Sequence, residues 1–126
     1  MNDFIRFQFK RSNYYSVEVV GKSIGLLAMF LGTEIRKRVD TSFTDWLDES
    51  NIQGIQGNQA IIDLLDNGII EIRDILDDGD FDDPVFLMPK EEYRKMVLQW
   101  QEIVKQRPKE IIVTWDGKEI SVEGRS

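Results

Sequence analysis

The residues in this chain best equipped for chemistry are carboxylates, and their densest run is Asp77-Asp-Gly-Asp-Phe-Asp-Asp-Pro84. Asp78, Asp80 and Asp82 keep the D-x-D-x-D alternation with which an EF-hand loop wraps calcium. Counted from Asp78, the sixth position needs the glycine of a sharp turn and is Asp83. The twelfth needs a bidentate glutamate and is Pro89. The calcium reading fails at both. Carboxylate pairs suited to glycoside hydrolysis are easy to find among 23 Asp and Glu, so finding one says nothing. The chain has no histidine and no cysteine. Ser-His-Asp and Cys-His nucleophiles and His/Cys zinc sites are thereby closed, leaving acid–base work to Asp, Glu, Lys or Tyr. Gly21-Lys22-Ser23 looks like the end of a phosphate-binding loop, but the glycine that should stand at position 16 is Ser16. The expectation is a protein that is not an enzyme and takes no cofactor or metal.

What the carboxylates do offer is a field. Residues 39–92 hold fifteen acids against Arg73 and Lys90, a net of −13, whereas residues 1–38 carry +4 and residues 93–126 carry +2. The overall charge of −7 hides that polarity. So concentrated an acidic field repels nucleic acid and anionic membranes and speeds encounter with basic proteins. Two aromatics stand among the acids: Phe81 between Asp80 and Asp82, and Trp46 beside Asp45. A ring supplies contact area while carboxylates steer and pair with Arg and Lys. The expected partner-binding surface is therefore Asp77, Asp78, Asp80, Phe81, Asp82 and Asp83, with a second patch at Asp45, Trp46, Asp48 and Glu49. The alternative is a solvated face, with Phe81 and Trp46 folded back onto the core. Trp100 and Trp115 sit on apolar stripes and are assigned to the core. The basic triplet Arg36-Lys37-Arg38 is expected to meet a helix dipole or the acidic segment.

The elements that must position these groups follow from periodicity. Ile5, Phe7 and Phe9, then Tyr15, Val17 and Val19, alternate with polar residues and read as a hairpin. A loop at Arg11-Ser12-Asn13 sets Phe9 opposite Tyr15, Phe7 opposite Val17 and Ile5 opposite Val19, with all six on one face. Residues 23–31 are apolar nearly all round and predict a buried helix capped by Ser23, continuing or breaking near Gly32 and ending before Asp40. Residues 41–50 read as a short helix capped by Thr44 or as a loop presenting Trp46. Residues 51–58 read as a linker. A short amphipathic helix is expected over Gln59 to Asp66, stopped by Asn67-Gly68, followed by strands at Ile69 to Ile75 and Val85 to Met88. Pro89 opens the clearest helix, with Tyr93, Met96, Val97, Trp100, Ile103 and Val104 on one face and Pro108 ending it. A two-residue Asp116-Gly117 turn would close a hairpin pairing Val113 with Ile120 and Ile111 with Val122.

The sum is one α+β domain over residues 1–126: a mostly antiparallel sheet with N- and C-terminal hairpins and helices on one face. Its 126 residues suffice to bury a core without disulfides or metal. The N-terminus lacks the pattern of a signal peptide, and Ile24 to Leu31 is far shorter than the roughly 20 residues of a membrane helix, so a cytoplasmic protein is expected.

The second half, about residues 68–122, resembles bacterial immunity proteins that neutralise polymorphic toxins, including those of contact-dependent growth inhibition. The likeness rests on Gly68-Ile-Ile-Glu-Ile-Arg-Asp-Ile75, on Phe86-Leu-Met-Pro89 leading into a helix with Tyr93, Met96 and Trp100, and on Pro108-Lys-Glu-Ile-Ile-Val113. No invariant motif defines such proteins, so no functional residue carries over by position. The resemblance implies a cognate toxin domain as partner, a basic protein such as a nuclease, bound through the acidic surface. A scaffold domain for another basic protein, and then a carboxylate hydrolase, are the readings behind it.

Overall fold

The computed structural model of the chain describes residues 3–9, 15–21, 24–36, 38, 41–49, 54–57, 59–75 and 85–125. Strands β1 (Asp3–Phe9) and β2 (Tyr15–Val20) form the predicted hairpin in the predicted register, Ile5 with Val19, Phe7 with Val17 and Phe9 with Tyr15. Arg11-Ser12-Asn13 lies outside the described residues. Sharing a face does not mean sharing a core, however. Ile5 and Phe7 are fully buried, while Val17 and Val19 remain 47% and 39% exposed because β2 is a sheet edge.

The chain then enters α1 (Gly25–Met29), preceded by Ile24; Ser23, expected as its cap, lies outside the described residues. Near Gly32 the helix neither breaks nor simply continues. It widens into a π-helical turn over Phe30–Ile35, in which the Arg36 amide reaches back five residues to the Leu31 carbonyl at 2.9 Å. Arg36 ends it with φ at +49°, a strained conformation for a side chain, held by Trp100 Nε1 donating to its carbonyl at 2.8 Å.

A short α2 (Ser42–Asp45) runs into a 3₁₀ turn at Trp46–Asp48. This resolves the alternatives for residues 41–50 in favour of a helix, but Thr44 does not cap it. Thr44 is buried inside the turn and its hydroxyl donates back to the Thr41 carbonyl.

Two expectations fail next. The linker contains strand β3 (Gly54–Gln56), and the helix expected over Gln59 to Asp66 is strand β4 (Ala60–Leu64). The stretch has consecutive apolar residues that satisfy either period. Ala60 and Ile62 face the core while Ile61 and Asp63 face away, and pairing to β3 and to β5 (Ile69–Asp74) decides the matter. Gly68 does adopt the left-handed conformation, at φ +80°, but as the turn of the β4–β5 hairpin.

After β6 (Phe86–Pro89), helix α3 (Lys90–Val104) buries Tyr93, Met96, Val97 and Trp100, with Ile103 and Val104 partly covered, as its periodicity predicts. Each full burial is worth about 1.5–3 kcal/mol, which dwarfs any helix propensity term. Strands β7 (Glu110–Trp115) and β8 (Ile120–Arg125) close the chain. Their register is two residues from the expected one: Val113 faces Val122, and Ile120 faces Trp115. Asp116 is the reason. Its carboxylate accepts from the Lys118 and Glu119 amides at 2.8 and 2.7 Å, building a four-residue loop where two residues were expected. A shift of two preserves faces, so the apolar sides still meet.

The architecture is α+β, all pairings antiparallel, but with two four-stranded sheets, β2-β1-β7-β8 and β3-β4-β5-β6, where one was expected. The helices join them. Helix α3 packs on β8 of the first sheet and reaches β5 and β6 of the second, and α1 touches β2 and β5. One continuous hydrophobic cluster results, with Phe86 of the second sheet meeting Trp115 of the first edge-on, ring centres 5.4 Å apart. Among the described residues no helix is long and apolar enough to cross a membrane.

Candidate functional site

The charge polarity of the sequence maps onto this architecture in an unexpected way. The first sheet is drawn from the two basic segments and the second from the acidic one. Yet the strands of each sheet carry the same net charge, −2: two bases and four acids in the first, one base and three acids in the second. The polarity therefore lives in the connections. Residues 39–53 contribute four acids and no base, Asp66 sits in the β4–β5 hairpin, and five aspartates lie between β5 and β6.

The first expected patch, Asp77, Asp78, Asp80, Phe81, Asp82 and Asp83, lies outside the described residues. Its attachment points are well held. The Ile75 amide donates to the Gln59 carbonyl at 2.8 Å, and Ile72 pairs with Phe86, so the segment joins two neighbouring antiparallel strands.

The second patch is only partly what the sequence suggested. Asp45, Asp48 and Glu49 are exposed. Trp46 is not: at 3% exposure it lies in the core, its indole N–H donating to the Phe43 carbonyl at 2.8 Å and its ring edge-on to Tyr93. The Tyr93 hydroxyl donates to the same carbonyl, and burial pushes its phenol far above the ordinary range, so it stays neutral. The patch is thus carboxylates mounted on a turn that two aromatics anchor from below. Asp48 takes Arg94 in a bidentate grip at 3.2 and 3.0 Å, and Arg94 also reaches Glu91 at 3.4 Å. Hydrogen bonding and charge from Arg94 hold the Asp48 carboxyl below its usual range. The patch sits near the start of α3, whose first amide is bound to Gly68. It is therefore near the opposite end of β5 from Ile75.

Two features escaped the sequence reading. On the outer face of the second sheet, Arg73 pairs with Asp63 at 3.0 Å and Glu71 at 3.2 Å, beside a Leu87 that is 48% exposed. The second feature is a partly open cavity of about 190 Å³ between the π-helical turn, α2 and the β3–β4 hairpin. Glu34 and Arg38 provide its charge, Ser42 and Gln56 further polar groups, and Phe43, Ile55 and Ile62 its apolar walls. Glu34 is only 9% exposed and accepts from the Gln59 amide at 2.9 Å. A Cβ on Gly57 would fall 1.2 Å from its Oε2, so any side chain there must push the Glu34 carboxylate aside. The one available signal was that Glu34 is the sole charge between Ile24 and Ile35. Of the basic triplet, Arg38 sets its guanidinium 4.7 Å from the centre of the Phe43 ring, a contact with an aromatic residue.

Among the described residues no three carboxylates converge as a metal site. No protein-family model matches the chain, and neither a curated protein nor a solved structure matches it.

Proposed function

We propose that this protein is a non-catalytic binding module whose acidic connections dock a basic protein, and that the partner is a toxin domain which the docking neutralises. The observation that carries the reading is where the charge sits. Strands of both sheets are equally and weakly acidic, while the connections of residues 39–92 hold the excess. Acids needed only for solubility have no reason to gather in the connections of one half. Connections are where proteins put recognition, because the scaffold holds them and tolerates their variation. Opposed to a basic surface, such carboxylates raise association toward about 10⁸–10⁹ M⁻¹s⁻¹ at low salt and contribute roughly 1.5–7 kcal/mol of coupling per close pair. The toxin part of the reading comes from the resemblance of residues 68–122 to immunity proteins. A nuclease must attract a polyanion, so its inhibitor gains by placing carboxylates where phosphates would lie.

The test is capture of partners by the tagged chain at low salt, with elution at high salt and assay of the eluted protein with and without added chain. A basic toxin domain that loses activity at one equivalent of chain is the expected result. A basic protein whose activity the chain leaves unchanged would favour a scaffold role. Failure to retain any basic protein would remove the proposal.

A further inference from the structure

We propose that the outer face of the second sheet is the apolar centre of the docking interface, and that it receives a segment of the basic partner in which apolar side chains stand beside Lys or Arg; the proposal rests on the docking reading above. An antiparallel sheet with one face on the core ordinarily turns polar residues outward along each strand. The first sheet does so. Arg6 with Glu18, Gln8 with Glu110 and Arg125 with Glu123 pair on its outer face, and Arg6 also lies over the Phe4 ring. The second sheet breaks the rule. Its outward positions include Ile61, Leu65, Ile69 and Leu87, none of which packs against the hydrophobic cluster. Strand pairing gathers most of them at one corner. The Leu65 amide donates to the Ile69 carbonyl at 2.9 Å, Ile69 pairs with Pro89, and Leu87 stands two residues before Pro89 on the same face. Leu65 and Leu87 are 36% and 48% exposed, and Pro89 is exposed as well. A lone exposed leucine is ordinary, whereas apolar residues gathered on one face mark a contact.

Charge decides the occupant. Beside the corner, Arg73 is shared between Asp63 at 3.0 Å and Glu71 at 3.2 Å, so the three together keep a net negative charge. Glu71 pairs directly with Leu87, which sets the carboxylates at the border of the apolar surface. Asp66 adds another acid, exposed in the turn next to Leu65. A second copy of the chain laid face to face would set these acids against themselves, and nucleic acid or an anionic membrane would meet the same repulsion. A basic protein meets complementary charge and covers the leucines at once. Arg73, Asp63 and Glu71 already hold one another in place, so binding leaves little side-chain freedom to lose there. The corner also lies where Pro89 leads into α3, the helix whose Arg94 grips Asp48 of the second acidic patch. The two parts of the interface then have different kinetic roles. Acids in the connections set how fast the partner arrives, and this face sets how long it stays.

The isolated chain can be titrated with a short peptide of alternating leucine and arginine, and separately with leucine–glutamate and serine–arginine counterparts, following amide shifts by NMR. Saturable shifts at Leu65, Ile69, Glu71 and Leu87 with the leucine–arginine peptide alone are expected. An equal response to either counterpart, or shifts that avoid these residues, overturns the assignment. So do shifts at the same amides that grow with protein concentration in the absence of peptide, since a second copy would then occupy the face. Leu65→Ser with Leu87→Ser removes apolar contact and no charge, and should weaken peptide binding at least about tenfold. Should that double variant misfold, the comparison of the three peptides on the unaltered chain still decides. With the captured partner, the double variant should raise the dissociation rate at least about tenfold and leave association unchanged. An unchanged dissociation rate overturns the role of this face while leaving the docking reading intact. Conversely, saturable binding of the leucine–arginine peptide with no basic partner ever captured leaves the chemistry of the face standing and removes the docking reading.

Discussion

Single side chains here divide between anchoring and display, and adjacent residues can do opposite jobs. Trp46 and Tyr93 both bond the Phe43 carbonyl from within the core, whereas Asp45 and Asp48 on either side of Trp46 face water. Trp46→Ala should therefore cost about 3–5 kcal/mol in denaturant unfolding, as for other buried aromatics. A stable variant with impaired partner binding would return Trp46 to the interface. Glu92 gives a pH-dependent test. A hydrogen bond from Lys95, then one from the Ile120 amide, hold its carboxyl below the ordinary 4.5. Its ionisation therefore stabilises the fold at pH above that value, and the contribution disappears as pH falls through the lowered pKa. Urea midpoints of the wild type and Glu92→Gln should differ by a constant amount near neutrality and converge below pH 4.5. A gap that persists undiminished at low pH would refute this. The identity of Trp100 as a core residue was legible from its helical stripe. The inward turn of Trp46 was not, because four residues of short helix give no periodicity to read.

At the scale of elements, the long amphipathic helix and the first hairpin were legible because many residues vote for one period. The strand at Ala60–Leu64 was not. Its consecutive apolar residues, Ala60 to Ile62 and then Leu64 and Leu65, fit both periods, and only the neighbouring strands β3 and β5 choose. The closing hairpin shows a subtler limit. Asp116-Gly117 invites a two-residue turn, but the Asp116 carboxylate bonds two amides further along and lengthens the loop. Glycines separate local from tertiary demands in a way that mutation can read. A Cβ at Gly25 meets nothing, so Gly25→Ala should stabilise by about 0.4–1 kcal/mol through the unfolded chain. Gly57→Ala must displace the Glu34 carboxylate and should destabilise by more than that gain. Thermal unfolding of the two variants side by side tests both, and a neutral Gly57→Ala would mean the β3–β4 hairpin does not need its tether to Glu34.

For the whole molecule, the consequence of segregated charge is kinetic. Reversing Asp80 and Asp82 to Lys should slow association with the partner and flatten its dependence on ionic strength, with unfolding midpoints unchanged. Asp45→Lys with Glu49→Lys asks the same of the second patch. Association rates that ignore both pairs of substitutions would deny the acidic connections any part in docking.

By itself the sequence determined the α+β class, the faces of its clear elements, the absence of His and Cys chemistry, and the segregation of charge. These are sums over many residues or plain facts of composition, and no packing arrangement can alter them. Only the tertiary structure decided that the strands divide into two sheets joined by helices, that residues 60–64 extend, and that Trp46 turns inward. It alone brought Glu34 and Arg38 to one cavity with Phe43 and Ile55. Each of those depends on contacts beyond a residue's own local segment, with neighbouring strands or with residues far along the chain, where local preference is nearly balanced and burial tips the outcome.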